Sequence, residues 1–461
     1  MASGRSAAVR LELGRQNEEA DRLPAERRLL PIYLFGVFIG ALDTNVLGPA
    51  LPLVAHAFST TLAWTAWTIT AYTAAYIAST VLAGPGGDRV GRRTFFLVGI
   101  ALFGAASLLA ALSGNLPLFL VARTLQGAGA GLVYPNAQAE GVRAFPEEKR
   151  GMALGLFGAV FGLAAIIGPN LGGLLAQAFG WPAIFLVNVP LAVIVLGLGR
   201  RLPKTEADHP GGLPDVFGGV AFSPTLVFLL LALSAASMLS VVWLMAALVS
   251  GITFSLRQRR AATPFLDTAP LKTSSGAFMM AAAGIIGLDL AAAVFVPALA
   301  QQELHFSVLL SGVALMPAAV VGAVLAGAAG VLVDRLGARR VLQVGLAAAG
   351  VGGVLIALPD LTVVRFVIAM AFFGFGTAFT LGAPINRLAT LLYRKDQLGE
   401  ALSLVAVARA VGLMVGPVVF GLMITNSGFS APFWLLAVVS ALGVMLLFQV
   451  PNWLQPSQVA S

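Results

Sequence analysis

The chain has 461 residues, 58% of them hydrophobic and only 10% charged, against about 25% charged in an ordinary globular domain. Apolar runs as long as a bilayer span recur along it, so it reads as an all-α polytopic membrane protein. The absence of cysteine excludes disulfides, thiolate metal sites and thiol catalysis. The net charge of +8 lies in short loops, which makes it a topology signal and not a nucleic-acid footprint.

Residues 1–28 mix six basic with five acidic side chains and hold no short apolar region with a cleavage site, so they read as a cytoplasmic tail. Apolar runs then predict spans near 30–54, 63–85, 94–113, 116–139, 151–176, 182–199, 216–236, 238–256, 276–301, 309–332, 340–358, 362–386, 399–424 and 430–450. That makes fourteen helices: a six-helix half at 29–200, loops with an inserted pair (spans 7 and 8) at 201–275, and a second six-helix half at 276–461. Only Ala-Ala-Ser separates spans 7 and 8, and a twelve-span count would make that stretch one broken helix or a re-entrant pair.

Basic residues cluster after each even span from 2 to 12: Arg89, Arg92 and Arg93; Arg143, Lys149 and Arg150; Arg200, Arg201 and Lys204; Arg257, Arg259, Arg260 and Lys272; Arg335, Arg339 and Arg340; Arg394 and Lys395. The other loops carry almost none, Arg365 excepted. The positive-inside rule places both termini in the cytoplasm of a multi-pass cell-membrane protein.

Two acids stand deep inside apolar runs, Asp43 in ALDTNV and Asp289 in IIGLDLAAA, 246 residues apart. The same 246 residues separate Asp88 from Asp334, in the basic segments GGDRVGRR and VLVDRLGARR. GPNLGG at Gly168–Gly173 recurs as GPVVFG at Gly416–Gly421, and Pro135 as Pro384. The chain is therefore a duplication with one buried acid per half. A charge at mid-bilayer costs roughly 2.5–3.5 kcal/mol on insertion scales, so each acid marks a functional site. Parallel halves with a site between them describe a secondary transporter that rocks.

Several motifs in this order resemble the major facilitator superfamily and its fourteen-span drug:proton antiporter subfamily. Gly84-x-x-Gly87-Asp88-Arg89-x-Gly91-Arg92-Arg93 is similar to the loop 2–3 signature. Arg123-x-x-Gln126-Gly127-x-Gly129 is similar to the span 4 motif, and Gly168-Pro169-x-x-Gly172-Gly173 to the antiporter motif of span 5. Leu42-Asp43-Thr44 with Ala50-Leu51-Pro52, Gln301-Gln302, Ser311-Gly312 and Met316-Pro317 fit the subfamily. One departure stands out. Trp181-Pro182-Ala183 precedes Ile184-Phe185 where the subfamily usually has Trp-Arg-Trp.

Asp43 falls near mid-depth of span 1, and Arg123 lies seven residues into span 4, which starts near residue 116. A low dielectric favours a neutral carboxyl and a nearby arginine favours the ionised one, so an aspartate that alternately meets and loses an arginine can carry a proton. Asp43 either does this, or forms a permanent pair with Arg123, or reads substrate charge. Asp289 binds a cationic substrate, carries a second proton, or pairs with Arg409. Arg123, Gln126, Ala130 and Tyr134 share one helical face, as do Thr73, Tyr76 and Thr80, and each face lines a cavity or bonds a neighbouring helix. Phe295 and Phe375 are candidate cavity aromatics. Gly162, Gly168, Pro169, Gly172, Gly173, Gly416 and Pro417 form a small-residue seam that admits close helix approach. The resemblance implies that this seam seals the pathway, and that Gly84, Asp88, Arg89, Gly91, Arg92, Arg93, Asp334 and Arg335 latch the two halves on the inner side.

No Gly-Lys-[Ser/Thr] occurs and no polar stretch is long enough for a nucleotide domain, so ATP does not drive the protein. No nucleophile–base set appears, none of His56, His209 and His305 lies mid-span, and neither an enzyme nor a metal centre is expected. The expected function is a monomeric proton-coupled antiporter that exports small amphipathic compounds, cationic or neutral and lipophilic. It needs no cofactor beyond the proton gradient and no nucleic-acid partner. The alternatives are a dedicated exporter of one natural product, and a facilitator or uptake symporter.

Overall fold

A computed structural model describes residues 29–145, 150–203, 224–225, 227–232, 238–260, 273–381, 383–392 and 398–450. The tail 1–28 and about half of 201–275 lie outside these.

The described residues are helical from end to end. In the first half, α1 (29–46) leads through a 3₁₀ turn, Gly48–Ala50, into α2 (Leu51–Ala57). Then follow α3 (Leu62–Val90), α4 (Arg92–Ala111), α5 (Leu116–Arg143), α6 (Arg150–Phe179), α7 (Ala183–Leu186) and α8 (Asn188–Gly199). Next come α9 (227–232) and α10 (Met238–Arg260). The second half holds α11 (Ser274–Ala293), α12 (Val296–Glu303), α13 (Val308–Val313), α14 (Met316–Leu336), α15 (Ala338–Ala357), α16 (Val363–Thr380), α17 (Ala383–Leu392), α18 (Leu398–Ser427) and α19 (Ser430–Leu447). Eleven described segments are long and apolar enough to cross a membrane, and Ala183–Gly199 is a shorter apolar one. Of span 7 only 224–225 and α9 are described.

Several predicted spans are broken helices. Spans 1, 6, 9, 10 and 12 are broken, at Leu47–Gly48, Val187, Val294–Phe295, Ala314–Leu315 and Leu381. In each case a proline follows within three residues of the break: Pro49, Pro190, Pro297, Pro317 and Pro384. Proline lacks the N–H for the ladder and its ring clashes with the preceding turn. The breaks of spans 1 and 9 fall four and five residues beyond Asp43 and Asp289. The helix starts are capped as their sequences suggest, Thr61, Asn115, Thr273, Ser307 and Thr362 each accepting a backbone N–H from three residues on.

The duplication extends to the packing. A Cβ on Gly127 in α5 would strike the Tyr72 carbonyl of α3, and one on Gly374 in α16, 247 residues later, would strike the Ala318 carbonyl of α14. Such contacts let backbones touch where apolar side chains gain nothing by leaving lipid. Between the halves, α3 packs on α18 and α6 on α13. Three side-chain hydrogen bonds across that boundary lie toward the arginine-poor end. Thr70 Oγ1 donates to the Met414 carbonyl at 2.9 Å, Gln301 Nε2 to the Pro49 carbonyl at 2.9 Å, and the Leu309 N–H to Gln177 Oε1 at 2.7 Å. They join the halves there. Arg365, the exception to the charge pattern, donates to the Leu358 and Pro359 carbonyls at 2.8 and 2.7 Å and so finishes the end of α15.

Candidate functional site

In the first half, five polar side chains converge on one another. Asp43 comes from α1, Ser107 from α4, Arg123 and Gln126 one turn apart on α5, and Asn188 from the first residue of α8. Asp43 Oδ2 accepts from Arg123 NH1 at 2.6 Å. Asp43 Oδ1 accepts from Gln126 Nε2 and Asn188 Nδ2, both at 2.8 Å. Gln126 Nε2 also donates to Ser107 Oγ at 2.7 Å, and its Oε1 accepts from Arg123 NH1. The Tyr72 ring lies 4.5 Å from the guanidinium carbon, a cation–π contact. Asp43 and Arg123 are each 1% exposed. Three donors meet the carboxylate and no acceptor opposes it, so the cluster accommodates the ionised acid. Removing one partner of such a buried pair costs about 3–5 kcal/mol.

The helical spacing on α5 puts Arg123 and Gln126 on one face, and an Asp43–Arg123 pair is one of the alternatives it leaves open. Gln126, a candidate cavity residue, is instead fully buried and bonds Asp43 and Ser107. Asn188 and Ser107 were missed, because neither is charged. The only signal was one amide in an otherwise apolar short span, FLVNVPLAV.

Asp289 does not reproduce this network. Its closest described partner is Ser440 of α19, whose Oγ donates to Oδ1 at 3.5 Å. It faces a cavity of about 60 Å³ lined by Met370, Phe373, Thr377 and Phe433 among others. That is room for a few waters, well below the 300–1,000 Å³ of a drug-sized site. At the 247-residue offset, Met370 stands where the first half has Arg123, and Phe373 where it has Gln126. The duplication kept the acid and replaced its polar cage with an apolar one.

Of the three alternatives for Asp289, the pair with Arg409 is not among the described ion pairs. Gly287, on another side of α11, abuts the Arg409 carbonyl. Tyr134 packs edge-on to Phe161 at 5.3 Å and accepts from Gln138 Nε2 at 3.0 Å. Thr73 is buried in α3. Phe295 is a correction. At 1% exposure it is core, edge-on to Phe420 at 6.3 Å, because it sits at the break before α12 where the chain turns inward. Phe375 stacks on Phe379 at 4.2 Å, and the cavity beside Asp289 is lined by Phe373 instead.

The loop 2–3 signature is mostly helix. Gly84 to Arg89 continue α3, and only Gly91, at φ +101°, makes the turn, as Gly337 does at φ +85° in the second half. A left-handed backbone admits glycine at no steric cost. Arg92 pairs with Glu140 at 3.6 Å. Arg93 donates to the Gly199 and Arg200 carbonyls at 3.4 and 3.2 Å, and Arg339, 246 residues on, donates to the Val450 carbonyl at 2.9 Å. These contacts tie helices within each half and do not join the halves. Arg335 is exposed, and the side chains of Asp88, Arg89 and Asp334 lie outside the described residues.

The glycine seam divides. Gly168 and Gly172 press on Asn45 and Val46 of α1, two and three residues past Asp43, while a Cβ on Gly173 would come within 2.8 Å of the Val308 carbonyl and one on Gly312 would strike the Pro169 carbonyl across the boundary. Gly416 packs within its own half on Ala291, and Pro417 lies inside α18. A Cβ on Gly162 would meet nothing within 4 Å, so Gly162 does not belong to the seam.

A family model described as Major Facilitator Superfamily matches residues 33–290 and 279–458. The riboflavin transporter RibZ of Clostridioides difficile (strain 630) is 27% identical over 87% of this chain and 88% of its own. The multidrug efflux pump LfrA of Mycolicibacterium smegmatis is 29% identical over 86% of this chain and 80% of its own. Among solved structures, that of a POT family transporter in complex with 5-aminolevulinic acid superposes with a TM-score of 0.71 at 14% identity, covering 92% of this chain and 96% of that one.

Proposed function

The chain belongs to the Major Facilitator Superfamily, and on that footing we propose that it is a proton-coupled antiporter exporting small amphipathic organic compounds by alternating access. The fourteen-span, monomeric organisation with cytoplasmic termini is part of this reading. With the arginine-rich end in the cytoplasm, the bonds that join the halves lie on the outer side, which fits an inward-facing state.

The observation that carries the reading is the enclosed Asp43 cluster. One carboxylate is served by Arg123, Gln126 and Asn188 in the inward-facing state. A proton reaching Asp43 removes the charge that holds Arg123 and destabilises this state relative to its alternative. Gly168 and Gly172 press on α1 beside Asp43, while Gly173 and Pro169 of the same helix touch α13. Movement where the halves are joined therefore reaches the acid through α6. Each proton entering down a potential of 100 mV supplies about 2.3 kcal/mol, enough to bias a two-state equilibrium. The LfrA likeness supports multidrug export.

Two buried acids suggested cationic substrates. Asp43 is compensated by Arg123, which removes half of that ground. The RibZ likeness favours a second reading, a carrier dedicated to one aromatic metabolite.

The test is dye efflux from cells with and without an uncoupler, for the wild type, Asp43→Asn and Asp289→Asn. Uncoupler-sensitive efflux that disappears in Asp43→Asn is expected. Efflux indifferent to the uncoupler, or fully retained in Asp43→Asn, overturns the coupling role.

A further inference from the structure

We propose that Gln301 is a positioning residue for the acid of the opposite half. Its side-chain amide clasps the broken turn that follows Asp43 and favours the state in which Asp43 is paired with Arg123. This inference rests on the reading of the chain as a carrier whose halves rock against each other.

The turn holds an acceptor that its own pattern leaves over. In the 3₁₀ turn Gly48–Ala50, the Ala50 N–H serves the Leu47 carbonyl and the Leu51 N–H serves that of Gly48. Next in line is the Pro49 carbonyl, whose donor in the same pattern would be Pro52, a residue with no N–H. Pro49 is buried, and a buried backbone acceptor without a donor is costly. Gln301 Nε2 of α12 donates to this carbonyl at 2.9 Å. An amide nitrogen carries two protons, and the second goes to Ser311 Oγ of α13 at 2.9 Å. Ser311 is fully buried and donates its own proton to the Val308 carbonyl at 2.7 Å. Both protons of the amide are therefore spent, one on each half.

The clasped segment is the one that carries the acid. Pro49 lies six residues after Asp43. Between them, Gly168 and Gly172 of α6 press on Asn45 and Val46, and a Cβ on Gly48 would come within 3.1 Å of the Val294 carbonyl. Val294 stands at the break that follows Asp289, so the two acid-bearing spans meet at their breaks. The stretch from Asp43 to Pro49 is fixed at one end by Arg123, Gln126 and Asn188 and at the other by Gln301. Two clamps on one short stretch of chain act on the same body. Releasing the clamp at the acid should therefore weaken what the clamp at Pro49 contributes.

The experiment uses the full-length protein in lipid nanodiscs at pH 8. Cysteines at Leu112 and Val364, each 70% exposed at the arginine-poor ends of α4 and α16, carry spin labels; the natural chain has no cysteine. Double electron–electron resonance reads the ratio of outer-open to outer-closed molecules. Gln301→Leu should raise that ratio about three- to tenfold, the worth of one hydrogen bond between the halves. Gln302→Leu, at the exposed neighbour, should change it less than about twofold. In an Asp43→Asn background, Gln301→Leu should also change it less than about twofold, since the two clamps are coupled. An unchanged ratio in Gln301→Leu, or as large an effect from Gln302→Leu, would overturn the proposal. So would an equal effect of Gln301→Leu in both backgrounds, because Gln301 would then be a tie indifferent to the acid. The first comparison needs no acid variant, so the proposal stays refutable should Asp43→Asn fail to fold. The same samples taken to pH 5 read the proton separately. A wild-type ratio that does not move with pH would sink the proton-coupled reading and leave the Gln301 clasp standing.

Discussion

Asn188 offers the sharpest test of the charge cluster. Its Nδ2 donates to Asp43 Oδ1 at 2.8 Å, and at 1% exposure no bulk water stands ready to replace it. Asn188→Leu keeps the volume and removes one of three donors to the carboxylate. A hydrogen bond to a charged group contributes about 1.5–3 kcal/mol, so the loss in stability should lie there, roughly 10- to 150-fold in the unfolding equilibrium. In an Asp43→Asn background the acceptor is neutral, and the same replacement should cost only about 0.5–1.5 kcal/mol. A double-mutant cycle on equilibrium unfolding in mixed micelles should therefore give a coupling of about 1 kcal/mol or more. An equal cost of Asn188→Leu in both backgrounds would refute the reasoning, because Asn188 would then not be serving the charge.

Gly172→Ala should abolish transport, since the new methyl would occupy the position of the Val46 carbonyl. Gly162→Ala, in open space inside α6, should keep transport and raise stability by about 0.5–1 kcal/mol; transport and unfolding measured on both variants check this. Arg93→Gln and Arg339→Gln should each cost about 1–3 kcal/mol by freeing carbonyls at a helix end, and their costs should add, because the two contacts lie in separate halves; unfolding of the double variant reads this. Thr70→Val removes a hydrogen bond between α3 and α18. It should raise the maleimide labelling rate of a cysteine introduced at Gln177, and the natural chain has no cysteine to interfere.

Charge and period made the first half of the site legible. An acid in a 20-residue apolar run is costly enough to be noticed, and a 3–4 spacing on α5 puts Arg123 and Gln126 on one face. Asn188 and Ser107 escaped because an amide or hydroxyl can satisfy itself within its own helix, as Asn45 and Asn170 do here, and so marks no site from sequence alone. The prolines that break α1, α7, α11, α13 and α16 were visible. Their effect was not, since a membrane helix tolerates proline wherever neighbours re-satisfy the freed groups. Asp289 and Arg409 looked like partners by depth; the side of α11 each would occupy depends on helix rotation, which apolar composition does not encode. The span count stays tied to the apolar runs, while α10 buries only 6% of its apolar window and shows a lipid-facing belt at Leu239, Val241, Val242 and Met245.

The helical segment α9 has a consequence for how molecules reach the space between the halves. Leu230 is buried, with Val227 and Leu231 beside it, among Trp67 and Ile77 of α3 and Met414 and Val418 of α18. It thus lies along one of the two sides where the halves meet, like a batten nailed over a joint between planks. A pseudo-twofold molecule would offer bilayer-dissolved compounds two equivalent doorways; here one carries an added helix and the other, beside α6, is the flank built of glycine contacts. Lipophilic compounds arriving from within the leaflet should therefore enter past α6, and bulky residues on its lipid side should slow them more than the same residues on α3.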